Sequence, residues 1–265
     1  MTKPLMPNQA EPNGPVILMY HSIEVGTRSP KWPWAVSLSQ FKAHLDLLKK
    51  LNYHTTTIAK LARAETQRPR TVVITFDDGY SNNLAAFDAL QERDMCATWF
   101  VVSGAVGQKP HWPLPEPADK LILSKENLRM MAEAGMEIGS HSVNHQRLAD
   151  LNSADLQSEA NDSKKTLEDI LGQRVSSFAY PYGEKNTNYE AALVAADYSA
   201  ACTVDSGWAM PDNNPLRLRR ISIFNKDTCV RLQRKLSFAS NDVGLRFLAT
   251  YYQQRIVNRL LPSHD

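Results

Sequence analysis

Along this chain, short apolar runs rich in β-branched and aromatic residues alternate with longer segments whose apolar positions recur every three or four residues. Seven of the short runs read as strands, at 16–22, 71–77, 97–103, 136–141, 176–181, 198–204 and 218–224. Between the first two, "SQFKAHLDLLKKL" sets Phe41, Leu45 and Leu48 on one helical face, with Ser39 as the predicted cap. "NLAAFDALQERD" and the segment 153–171 follow the same period, the latter opening on an Asn-Ser cap. Strand and helix alternate about seven times, with no internal repeat and no low-complexity tract. That order predicts a parallel α/β sheet or barrel.

Composition narrows the field without changing this picture. A chain of 265 residues, 43% hydrophobic and 22% charged, suits one large globular domain over 1–265. Residues 1–15 are expected to be flexible, and 227–262 to form a C-terminal helical extension. A net charge of +2, with basic residues scattered apart from "RLRR", argues against nucleic acid as a partner. The N-terminus carries Pro and polar residues where a secretory signal needs an apolar run, and no segment reads as a transmembrane span. Three cysteines, Cys96, Cys202 and Cys229, suit small buried residues of a reducing compartment, so a cytoplasmic location is expected. "NDVGLRFLATYYQQRIVNRLL" is amphipathic and basic; packing on the barrel is the expectation, with a membrane surface or self-association as the lesser readings.

Candidate chemistry gathers where strands end. "TVVITFDDGY" closes on Asp77 and Asp78, which strand alternation sends to opposite faces, so one carboxylate can bind a cation while its neighbour handles a proton. A plain strand end meeting a turn would also favour Asp and Gly. "EIGSHSVNH" supplies His141 and His145, on one face if helical and still close if in a loop. Two imidazoles and a carboxylate leave positions open on a divalent metal, although HxxxH alone favours two solvated histidines, and its weight comes from occurring together with the acid pair at strand ends. "SSFAYPYGEKN" makes a stiff turn at Tyr180, Pro181, Tyr182 and Gly183 whose N–H groups could face a substrate. "SPKWPWAVS" and the Pro-rich "GQKPHWPLPEPADK" bring Trp32, Trp34 and Trp112, candidates for stacking on a sugar ring if they do not simply bury area. "ILMYHSI" ends an apolar strand on His21, which is either a tip meeting water or a group serving the same rim. His44 and His54 lie in or just after a helix and are expected at the surface.

In this order, "TFDDGY", "HSVNH" and "FAYPYG" resemble the three motifs of the polysaccharide deacetylase family, the NodB-like carbohydrate esterases, over most of 70–225. "ILMYHSI" with "FKAHLDLLKKL" is similar to the branch containing poly-N-acetylglucosamine deacetylases. The resemblance implies a single distorted, incomplete (β/α)7 barrel and a hydrolase removing N-acetyl groups from an N-acetylhexosamine-containing glycan or glycan precursor. It also implies a divalent metal, usually Zn2+, held by Asp78, His141 and His145, with Asp77 as the base for the attacking water. The Tyr182 N–H would hold the oxyanion, and Tyr180 joins the tryptophans among candidate substrate contacts. Two departures stand out. Many members have an arginine where this chain has Ala179, and Arg220 in "LRLRRISIF" is the candidate replacement; the usual late histidine is missing, since His264 alone follows His145. Because that branch is circularly permuted with its acid histidine ahead of the DD motif, the resemblance makes His21 the candidate acid.

Other classes remain open at this level. Magnesium-dependent phosphoryl transfer would use the acid pair but not the histidines. An iron oxygenase could use two histidines and a carboxylate, though usually on an all-β scaffold. A metal- and glycan-binding pseudoenzyme would explain the two departures, and a metal-dependent hydrolase of a non-sugar amide is a further alternative.

Overall fold

The computed structural model describes residues 14–27, 29–65, 70–112, 120–184, 187–210 and 212–244. The N-terminal half contains β1 (Val16–Tyr20), β2 (Ser22–Glu24), β3 (Ala35–Ser37), α1 (Leu38–Lys50), β4 (His54–Thr56), α2 (Ile58–Ala62), β5 (Thr71–Phe76), α3 (Leu84–Gln91) and β6 (Thr98–Val101). There follow α4 (Lys125–Glu133), β7 (Glu137–Ser140), α5 (Ser153–Leu171), β8 (Ser177–Ala179), α6 (Thr187–Ala195), β9 (Ala200–Cys202), β10 (Ile221–Ser222) and α7 (Cys229–Phe238).

All seven predicted runs form strands of one parallel sheet, in the order β10-β1-β5-β6-β7-β8-β9. The first five residues pair in step, from Val16 with Val72 to Tyr20 with Phe76. At the far side, β9 reaches the chain leading into β10 through one bridge, Cys202 with Leu218, while β10 itself pairs with β1. The sheet therefore curls round and nearly meets itself, the α/β half-barrel expected. Three short strands were not foreseen. β4 lies beside the first half of β5, and β2 and β3 form a separate pair; three residues are too few for an alternation signal to register.

Every residue of β1 and β5 is buried, as expected of strands covered on both faces. Phe76 and Trp99 stack across β5 and β6 with ring centroids 4.6 Å apart. Helix α1 buries Phe41, Leu45 and Leu48, each contributing about 1.5–3 kcal/mol. Its cap is Ser37 rather than Ser39: the Ser37 hydroxyl accepts from the Gln40 N–H at 3.2 Å, and Ser39 already sits in the first turn. Helix α5 opens on Asn152 as predicted, the amide oxygen accepting from Ala154 and Asp155.

His44 overturns its surface expectation. It faces inward from α1, accepts at Nδ1 from the Tyr20 hydroxyl (3.0 Å) and donates from Nε2 to the Asp227 carbonyl (2.5 Å). These partners lie 24 and 183 residues away, so no local pattern announces them. His54 is exposed, as expected. Among the described residues no helix is long and apolar enough to cross a membrane. Residues 1–13 and most of the amphipathic C-terminal stretch lie outside the described residues, as do the expectations attached to them.

Candidate active site

The chemistry-bearing residues converge at the C-terminal ends of the strands. The Asp77 N–H donates to the Tyr20 carbonyl at 3.0 Å, extending the ladder one residue past β5. Asp78 (φ 70°) and Gly79 (φ 85°) then turn the chain sharply. The positive φ at Gly79 favours glycine, and a Cβ there would come within 3.1 Å of a Val101 methyl carbon, a tight approach. The turn separates the two carboxylates.

Asp78 turns towards the histidines. Its Oδ1 lies 3.5 Å from His141 Nε2 and 3.3 Å from His145 Nε2, and all three side chains are buried. His141 follows β7, and its Nδ1–H donates to the Ala179 carbonyl at 2.8 Å, leaving the Nε2 lone pair to face Asp78. The HxxxH segment is a loop, with left-handed φ at Ser142 (66°) and His145 (53°). The Ser142 hydroxyl accepts from the His145 N–H at 3.0 Å. Four-coordinate zinc with bonds of about 2.0–2.1 Å sets its ligand atoms roughly 3.3–3.4 Å apart. The separations of 3.3 and 3.5 Å to Asp78, with all three ligand atoms within 4.8 Å of one another, and the mixed N and O donor set suit a divalent ion. Burial pushes His141 down to about 4 against the pull of Asp77, so the ring is neutral and able to ligate at neutral pH. Burial raises Asp78, but the hydrogen bond and charge of His145, with His21 and His141, hold it below the usual carboxylate range.

Asp77 faces the other way. Arg220 grips both its oxygens, Nη1 to Oδ1 at 2.6 Å and Nη2 to Oδ2 at 2.8 Å, while Arg220 Nε donates to the Thr203 carbonyl at 2.8 Å. The guanidinium is fully buried. Burial raises Asp77, yet Arg220, followed by His141 and His21, brings it below its ordinary value. The charge absent at Ala179 thus arrives from the segment leading into β10.

His21 lies at the same rim, within electrostatic reach of Asp78, Asp77, Arg220 and His145. Burial lowers it, with the two aspartates opposing, and its Nδ1 is buried with no protein partner. Each candidate tryptophan lies against a site histidine: Trp34 and Trp32 against His21, with centroids at 4.4 and 6.4 Å, and Trp112 stacked on His145 at 4.9 Å. Trp32 and Trp112 are buried in the core, so they bury area as the plainer expectation had it, and Trp34 alone of the three is half-buried. Tyr182 adopts φ 57°, is 42% exposed as a residue and sets its ring 4.8 Å from His145. Tyr180 does not join them. It is buried, packs on Phe178 and donates its hydroxyl to the Leu216 carbonyl at 3.1 Å, so it supports the turn from beneath.

Three neighbours went unread in the sequence. Tyr80 is buried beside Asp78 and Trp112, its hydroxyl without a hydrogen-bond partner at normal distance. Arg147 lies over the Tyr182 ring at 4.4 Å and pairs with Glu184 at 2.6 Å. Glu159 reaches from α5 to the loop between the two histidines. Tyr80 and Arg147 stand two residues beyond Asp78 and His145, a proximity that could have flagged them; Glu159 gives no such signal.

A parallel half-barrel with a metal-ligand set and an ion-paired second aspartate at its strand ends is the architecture of a metal-dependent hydrolase. The family profile described as polysaccharide deacetylase matches residues 64–201. The chain belongs to the polysaccharide deacetylase family. YxkH, a polysaccharide deacetylase homologue from Bacillus subtilis, is 33% identical over 214 residues, 78% of this chain and 70% of that protein. The peptidoglycan-N-acetylmuramic acid deacetylase PdaC of Bacillus subtilis is 29% identical over 49% of this chain, which spans only 25% of its length. Among solved structures, the Streptococcus pyogenes deacetylase PplD, in complex with acetate, gives a TM-score of 0.74 at 26% identity, covering 85% of this chain and 99% of that one. IcaB from Ammonifex degensii shares the fold, with a TM-score of 0.72 at 23% identity over 86% of this chain and 98% of its own.

Proposed function

We propose that this protein hydrolyses the N-acetyl amide of an N-acetylhexosamine in a glycan or glycan precursor, with Zn2+ held by Asp78, His141 and His145. The observation that carries this reading is the division of labour at Asp77 and Asp78: one carboxylate beside two imidazoles, the other clamped by a buried arginine. A divalent cation held by these three residues would supply Lewis acidity, lowering the pKa of a water and polarising an amide carbonyl. Asp77, oriented by Arg220, takes the proton of the attacking water. The Tyr182 N–H, on its left-handed turn, donates to the oxygen of the tetrahedral carbon. As the C–N bond breaks, His21 gives a proton to the departing amine, and acetate and a free amino sugar leave. With its affinity lowered by burial, His21 rests neutral, so the proton it delivers is one gained within the turnover. Trp34, half-buried, offers a flat wall to a sugar ring, while the buried Trp32 and Trp112 back the site histidines.

The family and the relatives named for peptidoglycan deacetylation support an acetylated glycan substrate. The test is acetate release from N-acetylglucosamine oligomers, peptidoglycan fragments and nucleotide-linked amino sugars, with chelator and after zinc is restored. Zinc-restored release from at least one substrate is expected. Its failure on all of them by zinc-loaded protein would overturn the acetylated-sugar reading and leave a glycan binder or a hydrolase of a non-sugar amide.

A further inference from the structure

The two histidines are held differently. The His141 ring is fixed by its Nδ1 bond to the Ala179 carbonyl, whereas His145 Nδ1 is buried without a protein partner. The aim of His145 therefore depends on its backbone and on the rings packed against it. That backbone is unfavourable for residues bearing side chains, with left-handed φ at both Ser142 and His145. Something must hold the loop in this shape.

Glu159 is placed to do so. Its Oε2 accepts from the N–H groups of Val143 (2.8 Å) and Asn144 (3.0 Å), and its Oε1 accepts from the Asn144 side-chain amide at 2.6 Å. The residue is only 7% exposed, on the buried face of α5 with Leu156 and Ala160. No ion pair with a Lys or Arg is formed by Glu159 among the described residues, so the loop N–H groups are its recorded partners. From the opposite side, the Ser103 and Gly104 N–H groups donate to the Ser142 and Val143 carbonyls at 3.1 and 3.0 Å. A Cβ at Gly104 would lie 2.6 Å from the Val143 oxygen, so the two backbones meet in close contact. The loop is thus gripped through its donors by Glu159 and through its acceptors by 103–104. An apolar side chain would bury more comfortably on that helix face, but could not take three N–H groups.

We propose that Glu159 is a positioning residue for the metal site, holding the 142–145 loop so that His145 Nε2 points at Asp78. This rests on the metal reading above. Zinc affinity of the full-length protein, measured by competition with a chromogenic chelator, tests it on Glu159→Ala and Glu159→Gln. Loss of a group that orients a metal ligand weakens binding by about 10–100-fold. Glu159→Ala is expected in that range, with turnover at saturating zinc recovering further than the affinity does. Glu159→Gln keeps a carbonyl for the Val143 and Asn144 N–H groups and turns its amide to the Asn144 side chain, which can flip to accept from it, so it should bind zinc more tightly than Glu159→Ala. Asn144→Ala removes one of the three donors without touching α5 and should weaken zinc binding in part, which a role confined to helix stability would not. If Glu159→Ala does not fold, Asn144→Ala carries the comparison. Wild-type affinity in folded Glu159→Ala, or in Asn144→Ala where Glu159→Ala does not fold, would overturn the inference alone; a wild-type protein that binds no zinc would overturn the metal reading together with it.

Discussion

Asp77 and Asp78 are adjacent in sequence but make different direct contacts, Asp77 with Arg220 and Asp78 with the two histidines, which makes their roles separable by substitution. Asp77→Asn should keep its zinc, measured by metal analysis after gel filtration, and lose acetate release, because a base is removed and a ligand is not. Asp78→Asn should lose the zinc; the reverse pattern would exchange the two assignments. Arg220 carries a different consequence. Its pair with Asp77 is fully buried, and breaking such a pair from one side leaves an uncompensated charge. Arg220→Met should lower the unfolding free energy in urea by about 3–5 kcal/mol. Arg220→Lys should rescue little, since an ammonium cannot make the bidentate contact. His21→Ala should retain fold and zinc while turnover falls by about a hundred- to ten-thousandfold, the usual worth of a general acid. Near-normal release by that variant would return His21 to the status of a strand tip.

Helix α1 shows how a segment can be correctly read and still surprise. Its apolar stripe was legible, and Phe41, Leu45 and Leu48 are buried as the period requires. His44 was not, because its partners come from β1 and from the chain just before α7. Burial pushes His44 down to about 4 from an ordinary 6.5, with the Asp227 carbonyl and charge opposing and Lys235 assisting. Between those values the unfolded chain binds the extra proton, so stability is full above about pH 6.5 and falls as pH drops towards 4. The loss attributable to His44 is on the order of 3 kcal/mol. His44→Gln should flatten that limb of the stability curve measured by denaturant titration; an unchanged acid slope would exclude His44 as its source. The same division holds across the site. Strand ends, the acid pair and the histidines were readable because each is a local pattern. The loop form of HxxxH, the burial of Tyr180 and the reach of Glu159 were not, because long-range contacts decide them. Arg220 was readable only as an unplaced charge: the sequence offered a cation but not the crossing that brings it to Asp77.

For the whole molecule, a ligand that binds only the native state adds stability by mass action. Zinc at a hundred times its dissociation constant adds about 2.7 kcal/mol, and in a domain this size each kcal/mol moves the melting temperature by about 2–4 °C. Calorimetry should therefore find the chelated protein melting roughly 5–10 °C lower, a gap that Asp78→Asn abolishes. The near-closure of the sheet has a consequence in time rather than in energy. Asp77 and its counter-charge stand 143 residues apart, and Arg220 rides on the segment that joins both edges of the sheet. A ribosome releases Asp77 long before Arg220. In the interval the acid has no cation to accompany it into a dry interior. On the function proposed above, the base is aimed only once the segment carrying Arg220 has been made and has docked between the two edges of the sheet.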